Sequence, residues 1–295
     1  MSANIEKVKG SLQVYAAGGG GINIASRLEQ FRSRRDPGYA LVSVSYIDSS
    51  KSNLHKELPA DSIYLIEGKD GAGQVRREIA PEVKPRLPEI LHAHKPGNLS
   101  VVIHTAGGGS GSAIGPLLVE ELILRDTPVI AIMVGDASTR LHAMNTLNTI
   151  KSYEHIARKS VKCPIVIAYL ENTGDASRAE VDRNVEALVE GLAILFSREN
   201  AELDTRDLYH WLRFDKVTTF DQPMLAALTI LNGATAPDGI GNVISVATLA
   251  KPGADATFPV VPEVRFLGLL PDDLDPSVAQ QSPVHFVTSD GVLHE

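Results

Sequence analysis

Thr105-Ala106-Gly107-Gly108-Gly109-Ser110-Gly111-Ser112 is the stretch on which the reading of the fold turns. Leu99–Thr105 before it is a β-branched run that reads as a strand, and Ile114–Leu124 after it reads as a helix. Glycines at a strand-to-helix junction let backbone N–H groups approach a phosphate, and the helix start adds positive partial charge. Nearer the N-terminus, Gly18-Gly19-Gly20-Gly21-Ile22-Asn23 repeats the arrangement. It lies between a strand at Leu12–Ala17 and a helix expected from about Ile22 to Arg34. Two such loops at two strand ends of one sheet can hold different parts of one polyphosphate. Backbone donors and the hydroxyls of Ser110 and Ser112 supply the hydrogen bonds.

The flanking sequence extends this pattern. Leu41–Ile47, Val129–Val134 and Ile165–Leu170 read as further strands, and Arg140–Lys159 as a helix. Arg76–His92 carries Ile79, Val83, Leu87, Ile90 and Leu91 at helical spacing, with Pro81, Pro85 and Pro88 predicting a short or kinked helix. Strand-helix alternation implies an α/β fold with a mainly parallel sheet and helices on both faces. Glu180–Phe196 predicts a long central helix. Residues 204–242 read as helix and loop, and Val243–Leu249, Val264–Leu269 and Val284–Thr288 as strands with dense Pro and Gly between them. That change of texture predicts a smaller α+β C-terminal domain.

A length of 295 residues fits two packed domains. The single cysteine, Cys163, excludes an internal disulfide and a cysteine metal cluster, and fits a reducing cytoplasm. A net charge of −8 argues against nucleic acid or an anionic membrane as partner, because phosphates need Lys and Arg to neutralise them. Met1–Glu6 has no basic start followed by an apolar run, and the apolar runs fall short of the ~20 residues that span a bilayer. His92, His94, His104, His142 and His155 lack metal-ligand spacing. The dinucleotide fingerprint fails because Asn23 stands where its last glycine belongs; Asp48, after the second strand, keeps a dehydrogenase as a minor alternative. No P-loop is present, and Ser112 breaks the nucleophile-elbow pattern around Ser110.

The run Thr105–Ser112 resembles the tubulin/FtsZ signature, with Ser110 in place of the common Thr. On that resemblance Gly18, Gly19, Gly20, Gly21 and Asn23 form the first nucleotide loop, with Asn23 on guanine. Gly71, Ala72 and Gly73 wrap the γ-phosphate, and Ala106, Gly107, Gly108, Gly109, Ser110, Gly111 and Ser112 form the signature loop. Val134-Gly135-Asp136-Ala137-Ser138 is the ribose loop. Asn172, with Thr173 after it, and Asp182 lie on the guanine side. A carboxylate at Asp182 pairs with guanine N1–H and the 2-amino group, and rejects adenine for lack of those donors. Asp204 and Asp207, in Leu203-Asp204-Thr205-Arg206-Asp207, resemble the acidic loop that enters the next subunit's GTP site and positions water there. Read locally, the same two acids suit a solvated helix start.

The closest likeness is to the bacteriophage branch, through chain length, Trp211-Leu212-Arg213-Phe214 and Val284-His285-Phe286-Val287. It implies a tubulin/FtsZ-like Rossmann-type GTPase, with a GTP-binding domain at 1–178, a connecting helix at 179–202 and an activation and assembly domain at 203–295. It further implies GTP/GDP with Mg²⁺ held through the phosphates, and a longitudinal polymer of the chain with itself. The filament would position phage particles or capsids in the host bacterial cytoplasm. Two departures stand out. Arg178 occupies a position where the family often stacks an aromatic on the base, and the branch continues past the equivalent of Glu295 into a C-terminal helix and acidic tail. The second gives an alternative function, a non-cycling nucleotide-binding relative or filament-capping module.

Overall fold

Along Leu12–Ala17 every side chain is buried, which requires cover on both faces of its sheet. The computed structural model describes residues 9–32, 34–54, 57–68, 70–172, 178–200, 202–232, 241–251, 261–270 and 283–289. Thr173 and both chain ends lie outside them. The chain begins with β1 (Ser11–Ala17), α1 (Gly18–Ala25), α2 (Glu29–Arg32), β2 (Leu41–Asp48) and β3 (Ile63–Leu65). Next come α3 (Ala80–Val83), α4 (Leu87–Ala93), β4 (Leu99–Thr105), α5 (Ser110–Leu124), β5 (Val129–Asp136), α6 (Arg140–His155) and β6 (Ile165–Asn172). The remaining elements are α7 (Arg178–Leu195), α8 (Thr205–Leu212), β7 (Leu225–Asn232), β8 (Asn242–Ala250), β9 (Val264–Leu269) and β10 (Pro283–Ser289).

The strands form one sheet in the order β3-β2-β1-β4-β5-β6-β7-β10-β8-β9. It is mainly parallel: only β10, antiparallel to both β7 and β8, departs from this. The fold is α/β, as the alternation predicts. Period-two alternation splits the core into two layers. Leu12, Val14 and Ala16 pack with α1, α7 and α8 on one face, while Tyr15 and Ala17 pack with α4, α5 and the end of α6 on the other. Each fully buried Leu, Ile or Val contributes roughly 1.5–3 kcal/mol.

The three prolines act as expected. The segment is cut into a 3₁₀ turn at Arg76–Glu78, α3, a second 3₁₀ turn at Lys84–Arg86, and α4; Pro81, Pro85 and Pro88 each sit at the start of a segment, where no N–H is needed. Three boundaries differ from the sequence reading. α1 begins at Gly18 rather than near Ile22, so the glycine run is itself the first helical turn. The helix begun at Arg140 widens into a π turn over Ile156–Val161 and stops at Lys162, which has φ +52. β7 lies within the region read as helix and loop.

The strand order places a topological switch between β1 and β4. From β1 the chain proceeds to β2 on one side, and β4 lies on the other. In such sheets a crevice opens there, outside the carboxyl ends of the strands. Both glycine runs lie at this point: Ala17 is level with His104, one residue before Thr105.

Candidate functional site

The crevice holds a two-lobed cleft. One lobe, of about 460 Å³, is lined by Gly19, Gly71–Gly73, Ser50, Asn53 and Gly109–Gly111. The other, of about 280 Å³, is lined by Asn172, Arg178, Asp182, Asp136, His142 and Val134 among others. Both lobes share Gly20, Asn23, Thr105 and Gly108, so they form one continuous space. The first lobe receives the N-termini of α1 and α5, whose first-turn N–H groups have no helical partner and carry positive partial charge. A polyphosphate suits that donor set, and a flat polar heterocycle suits the second lobe. A larger groove of about 630 Å³ between α3, α5 and α6, lined by Arg76, Arg77, Lys84, Lys151 and Lys159, has none of the glycine loops.

Close backbone approach explains why glycines build this cleft. Gly18 has φ +71, and a Cβ there would stand 2.4 Å from the nitrogen of Gly111. At Gly21 a Cβ would lie 2.5 Å from the carbonyl oxygen of Ile103, so its absence lets α1 rest directly on β4. Asn145, on α6 and buried, donates its Nδ2 hydrogens to the carbonyl oxygens of Gln74 (3.2 Å) and Gly107 (3.0 Å). One side chain thereby fixes the loop at Gly71–Gly73 against the signature loop. Arg76 continues the clasp, donating to the carbonyls of Asn148 and Ser112 and to Ser152 Oγ. Burial lowers its pKa.

Of the residues read from the sequence, Gly19, Gly20, Asn23, Gly71, Ala72, Gly73, Gly108, Gly109, Ser110, Gly111, Asn172, Arg178 and Asp182 line the cleft. Others are turned away from it. Asp48 is fully buried, accepting from Ser49 N–H (2.7 Å) and Asn53 Nδ2 (2.6 Å); it shapes the turn that presents Asn53. Ser112 is also fully buried, and its hydroxyl donates back to the carbonyls of Gly108 and Gly109 rather than outward. Ala106 and Gly21 are packing positions, and Gly18 and Gly107 stand behind the surface. Ser138 lies at the rim, its Oγ 3.2 Å from His142 Nδ1 and its N–H on Asp136 Oδ1.

Asp182 is held by Arg27, whose Nε lies 3.0 Å from its Oδ2. Asp136 lies 3.0 Å from His142 Nδ1. Burial works to raise the Asp136 carboxyl, but hydrogen bonds from Ser138 and the adjacent His142 outweigh it and hold the group below its ordinary value. Ser50, Asn53, Gln74, His142 and Asn145 are cleft or clasp residues that motif reading does not single out, and Thr105, the first residue of the signature run, lines both lobes. Asn145 and Thr149, polar residues one helical turn apart on the buried side of α6, are the one signal that could have found the clasp.

Asp204 and Asp207 line neither lobe. They close a reciprocal cap on α8: Asp204 Oδ1 accepts from Arg206 N–H (2.7 Å) and Asp207 N–H (2.9 Å), and Asp207 Oδ2 accepts from Asp204 N–H (3.0 Å). The Asp207 N–H contributes most to holding the Asp204 carboxyl below its usual range. α7 separates this pair from the cleft. Its first turns carry Arg178 and Asp182, and its far end passes to Ser197, whose carbonyl accepts from Gly10 N–H just before β1. Its 18 residues span about 27 Å. The acids therefore sit at the amino edge of the sheet and the cleft at the carboxyl edge.

Among the described residues no group of three His, Cys, Asp or Glu is arranged to hold a metal, and no helix is long and apolar enough to cross a membrane. No family model matches the chain. The chain is 30% identical over 286 residues to the phage tubulin-like protein of Pseudomonas phage PhiPA3, covering 96% of this chain and 85% of that relative. The solved protofilament of TubZ from bacteriophage PhiKZ aligns at a TM-score of 0.84 and 27% identity, covering 96% of this chain and 86% of that one. The phage tubulin PhuZ solved with GDP aligns at a TM-score of 0.82 and 25% identity, covering 96% and 87%.

Proposed function

This chain belongs to the phage tubulin-like proteins of the tubulin/FtsZ superfamily, and on that premise we propose that it is a GTPase that stacks head to tail and hydrolyses GTP at the junction between subunits. The observation that carries the proposal is the separation of parts: a glycine-rich cradle of backbone donors at the carboxyl edge of the sheet, and a pair of acids at the amino edge about one α7 length away. One subunit cannot complete the site. In a polar stack, Asp204 and Asp207 of one copy approach the phosphate lobe of the next.

The triphosphate lies along Gly19–Gly20, Gly71–Gly73 and Gly108–Gly111, with the base in the lobe of Asn172, Arg178 and Asp182. Gly18, Gly21, Ala106, Gly107 and Ser112 set the loop backbones, and Asp48 sets Asn53. Ser138, at the rim with Asp136 and His142, faces the ribose. Arg178 offers a flat guanidinium in place of an aromatic ring. Mg²⁺ would be held through phosphate oxygens and water, because a hard ion takes oxygen ligands and the cradle itself offers backbone N–H donors. Carboxylates positioning water are worth roughly 10²–10⁴-fold in such chemistry. The nucleotide unit is placed at 1–178, the connecting helix at 179–202 and the assembly unit at 203–295. Only three register pairs, Ile165–Ile167 against Leu225–Ala227, join β6 to β7, which supports a seam there. The filament's task, by kinship, is to position phage particles in the cytoplasm of the infected cell.

The capping of α8 by both acids favours a second reading, a nucleotide-holding relative that caps filaments without cycling. The GTPase rate per subunit, measured against protein concentration with Mg²⁺, separates the two. Assembly-dependent catalysis gives a critical concentration above which the rate rises; a flat rate overturns it.

A further inference from the structure

Arg178 and Asp182 lie four residues apart at the start of α7, and both line the second lobe of the cleft. On a helix that spacing makes them neighbours, and opposite charges so placed ordinarily pair. They do not pair here. Asp182 takes its cation from another element: Arg27, in the 3₁₀ turn Ser26–Leu28 that follows α1, places its Nε 3.0 Å from Asp182 Oδ2. Among the described residues Arg178 has no carboxylate partner. Arg27 stands one helical turn beyond Asn23, which lines both lobes, so the wall that carries Asn23 also supplies the partner of Asp182.

This choice of partner has two consequences. Arg27 meets Oδ2 through Nε, which leaves Oδ1 as an acceptor for a ligand in the lobe. The Arg178 guanidinium, free of any carboxylate, keeps its flat face for stacking on a heterocycle. Without Arg27, the cation on the same face of α7 as Asp182 is Arg178. An exchange of partners would occupy the carboxylate and draw the guanidinium against its own helix, so both polar contacts to a base would be lost together. The Arg27 side chain is 48% exposed and that of Asp182 17%. A pair this open to solvent adds little to folding stability, so its effect falls on the cleft rather than on the fold.

We propose that Arg27 is a positioning residue for base choice: it holds the Asp182 carboxylate away from Arg178, so that carboxylate and guanidinium each meet the base. The proposal rests on the reading of the second lobe as the base site, and it names a residue outside that lobe on which the selectivity depends. Arg27 lines neither lobe. It acts through Asp182 and not by touching the nucleotide.

The test uses the full chain, kept dilute, with a fluorescent GTP analogue displaced by GTP, ITP or ATP. ITP lacks the 2-amino group that a carboxylate at Asp182 would accept from, so the preference for GTP over ITP reports on that oxygen. Arg27→Ala is expected to lower this preference by a factor of about five or more, the worth of one hydrogen bond, while the urea midpoint stays close to that of the unaltered chain. Arg27→Lys, which keeps a cation beside Oδ2, is expected to restore most of the preference. With Arg178→Ala already present, Arg27→Ala should change the ratio by about twofold or less, since no guanidinium remains to take the carboxylate. An equal loss in both backgrounds overturns the exchange of partners, and so does a preference that falls only together with the urea midpoint. An unaltered preference in Arg27→Ala overturns the role of Arg27 alone. An unaltered chain with no preference for GTP over ITP or ATP overturns the base-site reading, and the role of Arg27 with it.

Discussion

A Cβ on Gly18 would stand 2.4 Å from the backbone nitrogen of Gly111, so the two glycine runs meet backbone to backbone. This contact makes two loops, separated by more than 80 residues of sequence, into one donor surface. Gly18 also has φ +71, which an L side chain adopts only with strain. Gly18→Ala is therefore expected to cost about 1–3 kcal/mol of stability and to weaken GTP binding more than tenfold. Urea unfolding and nucleotide titration measure the two effects. Unchanged affinity would mean that the runs do not act together.

Asn145 links the same surface from behind. Asn145→Ala leaves the carbonyl of Gln74 and the buried carbonyl of Gly107 without this donor, at a cost of about 1–3 kcal/mol. The loop at Gly71–Gly73 should then move independently of the signature loop. If this loop encloses the γ-phosphate, as proposed, GTP affinity should fall more than GDP affinity. Equal losses for both nucleotides would place the clasp's effect elsewhere.

Asp182 carries base choice in this scheme. Asp182→Asn keeps the shape but replaces an acceptor pair with a mixed amide, so preference for GTP over ATP should drop by a factor of about ten or more. Stability should change by less than about 1 kcal/mol, because its partner Arg27 is 48% exposed. Competition binding checks it, and an unaltered preference would show that the base is read by other groups.

Much of this cleft was legible because glycine runs after apolar strands have few other uses. β7 was not. Leu225-Ala-Ala-Leu-Thr-Ile-Leu-Asn232 is buried on both faces at its start, and a continuous apolar run has no period to tell strand from helix. Asp48 and Ser112 show a second limit. A carboxylate at a strand end or a hydroxyl in a phosphate loop has the right chemistry for a ligand, yet Asp48 serves Asn53 and Ser112 serves its own helix. Sequence names the group but not the direction in which it points. The spacing of Asp204 and Asp207 shows a third: it fits a cap and a catalytic pair equally, and the cap is formed.

Stability should depend on pH through two buried rings. His104 Nε2 lies 2.8 Å from the Tyr153 hydroxyl, and His285 Nδ1 3.1 Å from the carbonyl of Ala247. Burial pushes both imidazoles from the ordinary 6.5 down to about 4. Above pH 6.5 neither the folded nor the unfolded chain binds these protons. Between 6.5 and 4 only the unfolded chain does, so stability falls as pH drops through that window, by on the order of 1.4 kcal/mol per unit per ring at most. Below about 4 this contribution levels off, and the lowered carboxyls of Asp136 and Asp204 begin to lose theirs. Urea midpoints from pH 8 to 4 measure the slope. His285→Gln should remove about half of it, and an unaltered slope would assign it to other groups.

Asp204→Ala separates binding, folding and catalysis. The residue lines neither lobe, so GTP affinity of the single subunit should stay within about twofold. It does cap α8, and losing that cap costs about 0.5–2 kcal/mol, which a urea midpoint reads directly. If its carboxylate positions water in the neighbouring subunit's site, hydrolysis in polymer should fall roughly 10²-fold or more, and filaments should persist because GTP is not consumed. Asp204→Asn sharpens the distinction. An amide oxygen still accepts from Arg206 and Asp207 and preserves the cap, but it has no negative charge with which to polarise water. Stability close to the original with hydrolysis lost would place the carboxylate in the reaction. Hydrolysis that falls only when stability falls would reduce Asp204 to a helix cap and leave the trans site without its acid.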